Sequence, residues 1–157
     1  MKALKTVLFL TLIACMLCAL AACGGSKQEV KPISEIYTDI KAAVTLPELL
    51  ELDAAETFTY VGIPTDAYTE GVALIPADAV LGDMLFIYKA ADKDALSTIQ
   101  TKLANFREQK LNEMKNYIPA EYEKINASEI KVSGDYVWLV VSDQAATILT
   151  TIENAIG

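Results

Sequence analysis

Two short segments of this chain are apolar at every position, and that restricts the fold more than any other feature. Met84-Leu85-Phe86-Ile87-Tyr88 and Tyr136-Val137-Trp138-Leu139-Val140-Val141 carry no charge. Both are short, rich in β-branched and aromatic residues, and bounded by polar turns, so they read as strands. Successive side chains of a strand point to opposite faces, and a half-exposed sheet alternates apolar with polar residues. Here neither parity is polar. Met84, Phe86 and Tyr88 share one parity with Tyr136, Trp138 and Val140, while Leu85 and Ile87 share the other with Val137, Leu139 and Val141. One face therefore reads as largely aromatic and the other as aliphatic, and both need cover.

The rest of the chain supplies candidate layers. Ile33, Ile36, Tyr37, Ile40 and Val44 recur at helical spacing, with Ser34 as cap. Pro47 opens a second short helical stretch through Leu49, Leu50 and Leu52, with a further turn through Phe58, and Gly62-Ile63-Pro64 ends it. Tyr68 to Ile75 and Met84 to Ala90 read as strands. Asp92 or a close neighbour caps a long helix to about Tyr117, Pro119 stops it, and Glu121 to Ile125 adds a short helix. Glu129 to Ser133 and Tyr136 to Val141 form a hairpin about Gly134-Asp135. Ser142 or Asp143 caps a closing helix that aligns Ile148, Ile152 and Ala155.

The order is ααββαββα. It predicts an α+β domain, an antiparallel sheet of about four strands with helices packed on one face and the N-terminal helices (33–58) covering the other. The last six elements also parse as two ββα units, with Ile99, Leu103 and Phe106 corresponding to Ile148, Ile152 and Ala155.

At the start of the chain, Lys2 and Lys5 precede an apolar run from Thr6 to Ala19, short of the roughly 20 residues a spanning helix needs. Leu20-Ala21-Ala22-Cys23 follows and resembles the lipobox of bacterial lipoproteins. The resemblance implies a signal peptide over 1–22 and fatty acylation of Cys23, palmitate being one such acyl group. It also implies anchorage at the outer face of the cell membrane. Residues 23–32 then form the lipidated N-terminus and a flexible tether, and 33–157 a single extracytoplasmic domain. Cys15 and Cys18 fall inside the signal, so the mature chain keeps only Cys23 and has no disulfide framework or zinc cluster.

Composition excludes several functions. Of the 13 Lys and Arg residues two lie in the signal, leaving 11 against 21 acids, a net charge of −10 for the mature chain. Such a surface repels phosphate backbones and argues against nucleic acid as a partner. No histidine is present, which removes the commonest general base and metal ligand. No phosphate loop, zinc-protease helix, nucleophile elbow or dinucleotide fingerprint occurs, and no cofactor or metal is implied. The carboxylate pairs Asp92 with Asp94 and Glu121 with Glu123 read as solvated faces rather than acid/base machinery.

The segments Gly82-Asp83-Met84-Leu85-Phe86-Ile87-Tyr88-Lys89-Ala90, Tyr117-Ile118-Pro119-Ala120-Glu121 and Ser133-Gly134-Asp135-Tyr136-Val137-Trp138 are the most distinctive of the mature chain. Together with Arg107 and Gln109 on the helix between them, they resemble the domain-of-unknown-function 4358 family, small Gram-positive, mostly clostridial, lipoproteins. The likeness spans roughly Ser34 to Ile156. It implies a lipid-anchored surface location and carries over no functional residue.

Two candidate sites remain. The aromatic face, with Phe86, Tyr88, Tyr136 and Trp138, is a potential patch for an apolar ligand, peptide or partner. Arg107, the only arginine, falls on the apolar stripe of the long helix formed by Leu96, Ile99, Leu103, Leu111, Met114 and Ile118. A guanidinium there either snorkels to an edge or meets a carboxylate, with Asp83, Asp135 or Glu129 as possible partners, or captures an anionic ligand group with Tyr117 nearby. The expected function is a non-catalytic binding or interaction module for an envelope protein, peptide or small ligand. The alternative is a small-molecule carrier or sensor with a pocket beside the aromatic face.

Overall fold

The computed structural model describes residues 30–157. The export signal, Cys23 and most of the tether lie outside the described residues. The elements are α1 (Ile33–Ala43), β1 (Leu49–Glu51), α2 (Ala54–Val61), β2 (Tyr68–Pro76), β3 (Met84–Ala90), α3 (Lys93–Met114), α4 (Pro119–Asn126), β4 (Ile130–Ser133), β5 (Tyr136–Val141) and α5 (Ala145–Ile156). The strands form one sheet in the order β1-β2-β3-β5-β4, every neighbouring pair antiparallel. The fold is α+β, with five strands rather than about four.

The additional strand is β1, where Leu49 to Leu52 was expected to be helical. Leu49–Glu51 instead pairs with Leu74, Ile75 and Pro76 at the end of β2. The helix starts later, at a capping box: the Asp53 carboxylate accepts from the Glu56 N–H at 2.8 Å, and the Glu56 carboxylate accepts from the Asp53 N–H at 2.9 Å. Gly62, at φ 78°, closes α2 in the left-handed conformation. At the start of α1 the cap comes from far along the chain, because the Glu70 carboxylate accepts from the Ile33 N–H at 3.0 Å. Asp92 caps α3 as expected, its side chain accepting from the Ala95 N–H at 2.8 Å.

Helices cover both faces of the sheet, giving three layers. On the first face Met84, Phe86, Tyr88, Val137, Leu139 and Val141 pack with α2, α3 and α4 through Val61, Ile99, Leu103, Phe106 and Ile125. On the second, Leu85, Ile87, Tyr136, Trp138 and Val140 pack with α1 and α5 through Ile36, Ile40, Ile148 and Ile152. The N-terminal helices are thus divided between the faces, and the closing helix shares the second face with α1.

Register decides which parities of β3 and β5 share a face, and it differs from the expected grouping. Phe86 pairs with Leu139, Tyr88 with Val137 and Ile87 with Trp138. Directly opposed residues point to the same side, so Phe86 and Tyr88 lie on one face and Tyr136 and Trp138 on the other. Each face is a mixture of aromatic and aliphatic side chains. The two ββα units also part here. Ile99, Leu103 and Phe106 of α3 sit on the first face, Ile148, Ile152 and Ala155 of α5 on the second. A two-fold axis through the sheet between antiparallel β3 and β5 would keep both helices on one face, so the resemblance of the two units is one of hydrophobic period alone.

Candidate functional site

The six residues singled out in the sequence do not converge. Phe86, Tyr88, Tyr136 and Trp138 are all buried. Phe86 meets Phe106 of α3 edge-on, with ring centres 5.6 Å apart, and Tyr88 tilts against Tyr68 at 4.9 Å. Tyr88 fits because Gly71 stands opposite it: a Cβ at Gly71 would come within 2.5 Å of the Tyr88 ring. Among the described residues the Trp138 indole N–H and the Tyr88 hydroxyl are buried with no partner in good hydrogen-bond geometry, although the Thr57 hydroxyl stands near that of Tyr88. Burial pushes the Tyr88 phenol well above its ordinary value, with the neighbouring Thr57 hydroxyl offsetting this in part. These rings are core, two on each closed face of the sheet.

Of the two structural expectations for Arg107 the structure shows the edge position and not the carboxylate pair. Its Nε donates to the Ser128 hydroxyl at 3.0 Å and its Nη2 to the Asn126 carbonyl at 2.8 Å. Asn126 is the last residue of α4, so the guanidinium satisfies an end carbonyl at the negative pole of that helix. Being half-buried, it sits at the margin of the apolar stripe rather than within it. Tyr117 lies past the end of α3, ten residues on, with 84% of its surface exposed. At 1.5 Å per residue that is about 15 Å along a helix axis, too far for the two to share a small anion.

The polar cluster that the fold does assemble is centred on Lys124, which sequence reasoning missed. Lys124 Nζ lies 2.9 Å from Asp83 Oδ2, 3.1 Å from Glu121 Oε2 and 3.4 Å from Asp143 Oδ2. The side chains of Lys124, Asp83 and Glu121 are 11%, 7% and 13% exposed, whereas Asp143 is 83% exposed. Glu121 also accepts the Gly82 N–H at 2.7 Å. Gly82 has to be small there, since a Cβ would stand 2.9 Å from Ile125 Cγ1 and 3.2 Å from Glu121 Oε2.

The cluster follows from topology. Pro119 starts α4, Glu121 and Lys124 are three apart on one side of it, and Met84 pairs with Val141, which brings the chain before β3 beside the chain after β5. Glu121, expected to be solvated, is therefore largely buried. Burial alone would lower the Lys124 ammonium, but hydrogen bonds and charge from Asp83 and Glu121 outweigh it and hold the group above the ordinary lysine range. A lysine so held is an ion-pair partner, unsuited to act as a base or amine nucleophile.

Three open clefts border the same edge of the molecule. One of about 480 Å³ runs past Lys124 between α4, the end of β5 and the start of α5, touching Ser142, Asp143 and Leu149. A second, of about 690 Å³, lies between α3 and β4 beside Arg107. A third, of about 360 Å³, lies between β4 and α5 over Trp138 and Ile156. Among the described residues no group of three or more His, Cys, Asp or Glu side chains is arranged to hold a metal ion.

Fold and site together define a three-layer α+β domain with a buried lysine–carboxylate network at one end of its sheet. The chain matches the model of the family described as domain of unknown function (DUF4358) over residues 42–142, and it belongs to that family. Comparisons with curated proteins and with solved structures give no match. Asp83, Arg107, Glu121 and Lys124 all fall within the matched span.

Proposed function

We propose that this protein is a lipid-anchored extracytoplasmic binding module, non-catalytic, which meets a protein, peptide or other envelope component at its perimeter. The lipobox-like Leu20-Ala21-Ala22-Cys23 motif supports the anchor. No helix among the described residues is long and apolar enough to cross a membrane, so acyl chains on Cys23 would do the anchoring, two chains being enough for stable attachment. The observation that carries the binding reading is the covering of both sheet faces. With the aromatic side chains consumed in the core and the clefts open, recognition falls to the rim, and a carrier's enclosed pocket has less support.

The test is made in a lipoprotein-processing bacterium. The reading expects a mature chain that begins at Cys23, carries fatty acid and stays with membranes, while Cys23→Ser abolishes acylation. It further expects crosslinking of the full chain in intact cells to yield a discrete adduct. A mature chain free in the medium with another N-terminus refutes the anchor, and crosslinking that yields only diffuse background refutes the module.

A further inference from the structure

The geometry points to the outer edge of β4 as an acceptor for an added β-strand, contributed by an extended segment of another polypeptide in which carboxylate side chains alternate with apolar ones. This rests on the reading of the chain as a binding module and gives that module a partner class.

β4 is an edge strand, and its hydrogen-bonding parity can be fixed. The Ala90 N–H donates to the Asp135 carbonyl at 2.8 Å. Backbone groups alternate along an antiparallel strand, so Val137 and Leu139 direct theirs to β3, and Tyr136 and Trp138 direct theirs to β4. In β4, Ser133 and Lys131, the partners of Tyr136 and Trp138, face inward. Ile130 and Val132 therefore turn their N–H and C=O groups outward. Among the described residues none of these four groups meets another partner. An unpaired row of this kind is a template for a further strand.

The two clefts beside β4 are placed for the side chains such a strand would present to alternate faces. On the α3 side the incoming residue meets Arg107, which has five N–H donors and spends two of them on Ser128 and Asn126. Its remaining donors suit a carboxylate side chain entering the cleft, where Glu108 and Glu129 also stand and leave Arg107 as the cation that such a group meets. On the α5 side the floor is Trp138 and Ile156, which suits an apolar residue. In the symmetric register of fullest overlap a second copy is the poorer occupant: antiparallel pairing of Ile130 against Val132 places Lys131 opposite Lys131 of the second copy, and directly opposed like charges destabilise a sheet.

The experiment uses the full acylated chain in detergent micelles and a blocked heptapeptide of alternating glutamate and valine. Amide hydrogen exchange is followed at Ile130 and Val132. The expected result is at least tenfold slower exchange at both amides, lost when the edge-facing amides of the peptide are N-methylated and absent with a lysine–valine heptapeptide. Val132→Pro removes an outward N–H without touching the β5 ladder, as proline is tolerated on edges, and should weaken the peptide at least tenfold. Unchanged exchange with the glutamate peptide, or equal protection by its N-methylated form, overturns the proposal. So does a peptide-free dimer dispersed by Val132→Pro, which assigns the edge to a second copy. If the crosslinked adduct in cells persists undiminished with Val132→Pro, strand addition fails while the binding-module reading stands.

Discussion

Replacing Lys124 with methionine removes the cation that Asp83 and Glu121 share and leaves both carboxylates beneath α4 without a counter-charge. The Nζ contacts at 2.9 and 3.1 Å are among groups no more than 13% exposed. Breaking a buried ion pair by deleting one partner costs about 3–5 kcal/mol, because the remaining charge is stranded away from water. Glu121 keeps its bond from the Gly82 N–H, which places the loss toward the lower end of that range. For a domain of this size that is a fall in Tm on the order of 10 °C. Asp143→Asn is the internal control, since its partner contact is long and its carboxylate faces water; a loss of at most about 1 kcal/mol is expected.

Equilibrium urea unfolding measures both. In the parent chain the Lys124 ammonium is raised on folding. Its contribution is thus complete below the ordinary lysine value of about 10.4 and is lost only as pH rises beyond it. A loss under about 1 kcal/mol for Lys124→Met at neutral pH would refute the reasoning.

Arg107→Ala should cost about 1–2 kcal/mol, less than two buried charged-donor bonds would be worth because the guanidinium is half-exposed and water replaces part of what is lost. Amide exchange should quicken locally from Asn126 to Ser128, where an uncapped α4 frays. Tyr88→Phe removes a buried hydroxyl that has Thr57 nearby but no partner in good geometry and should change stability by no more than about 1 kcal/mol. Because the Tyr88 phenol is raised on folding, the unfolded parent chain ionises first and the folded one loses stability as pH climbs past about 10, so the variant's stability should fall less steeply there in alkaline unfolding.

Elements whose signal is local were legible. The bounds of β3 and β5 follow from uninterrupted apolar runs between polar turns, and α3 from Asp92 and its stripe. β1 was not, because three residues flanked by Pro47 and a capping box are too few to show a period. The start of α2 is set by the capping box of Asp53 and Glu56 rather than by the leucines before it.

The site was less legible for a different reason. Parity within each strand is written in the sequence, but which parity of β3 meets which of β5 depends on register, and only pairing fixes it. One residue of slip separates a single aromatic face from two mixed ones. Lys124 was hidden likewise: its partner Asp83 is 41 positions away, and nothing local tells a lysine in a charged helix from any other. Gly82-Asp83 and Pro119-Ala120-Glu121, which carried the family resemblance, prove to be neighbours around it.

The central claim is that the sheet is closed on both sides, with Trp138 against α1 and α5 and Phe86 against α3. Nuclear Overhauser contacts from the Trp138 indole and the Phe86 ring to assigned isoleucine and leucine methyls test it most directly. The account predicts contacts from Trp138 only to methyls of the second layer, such as Ile36, Ile40, Ile148 and Ile152, and from Phe86 only to those of the first, such as Ile99 and Leu103. Contacts from both rings to one set of helices, with the other sheet face free of helix methyls, would contradict it.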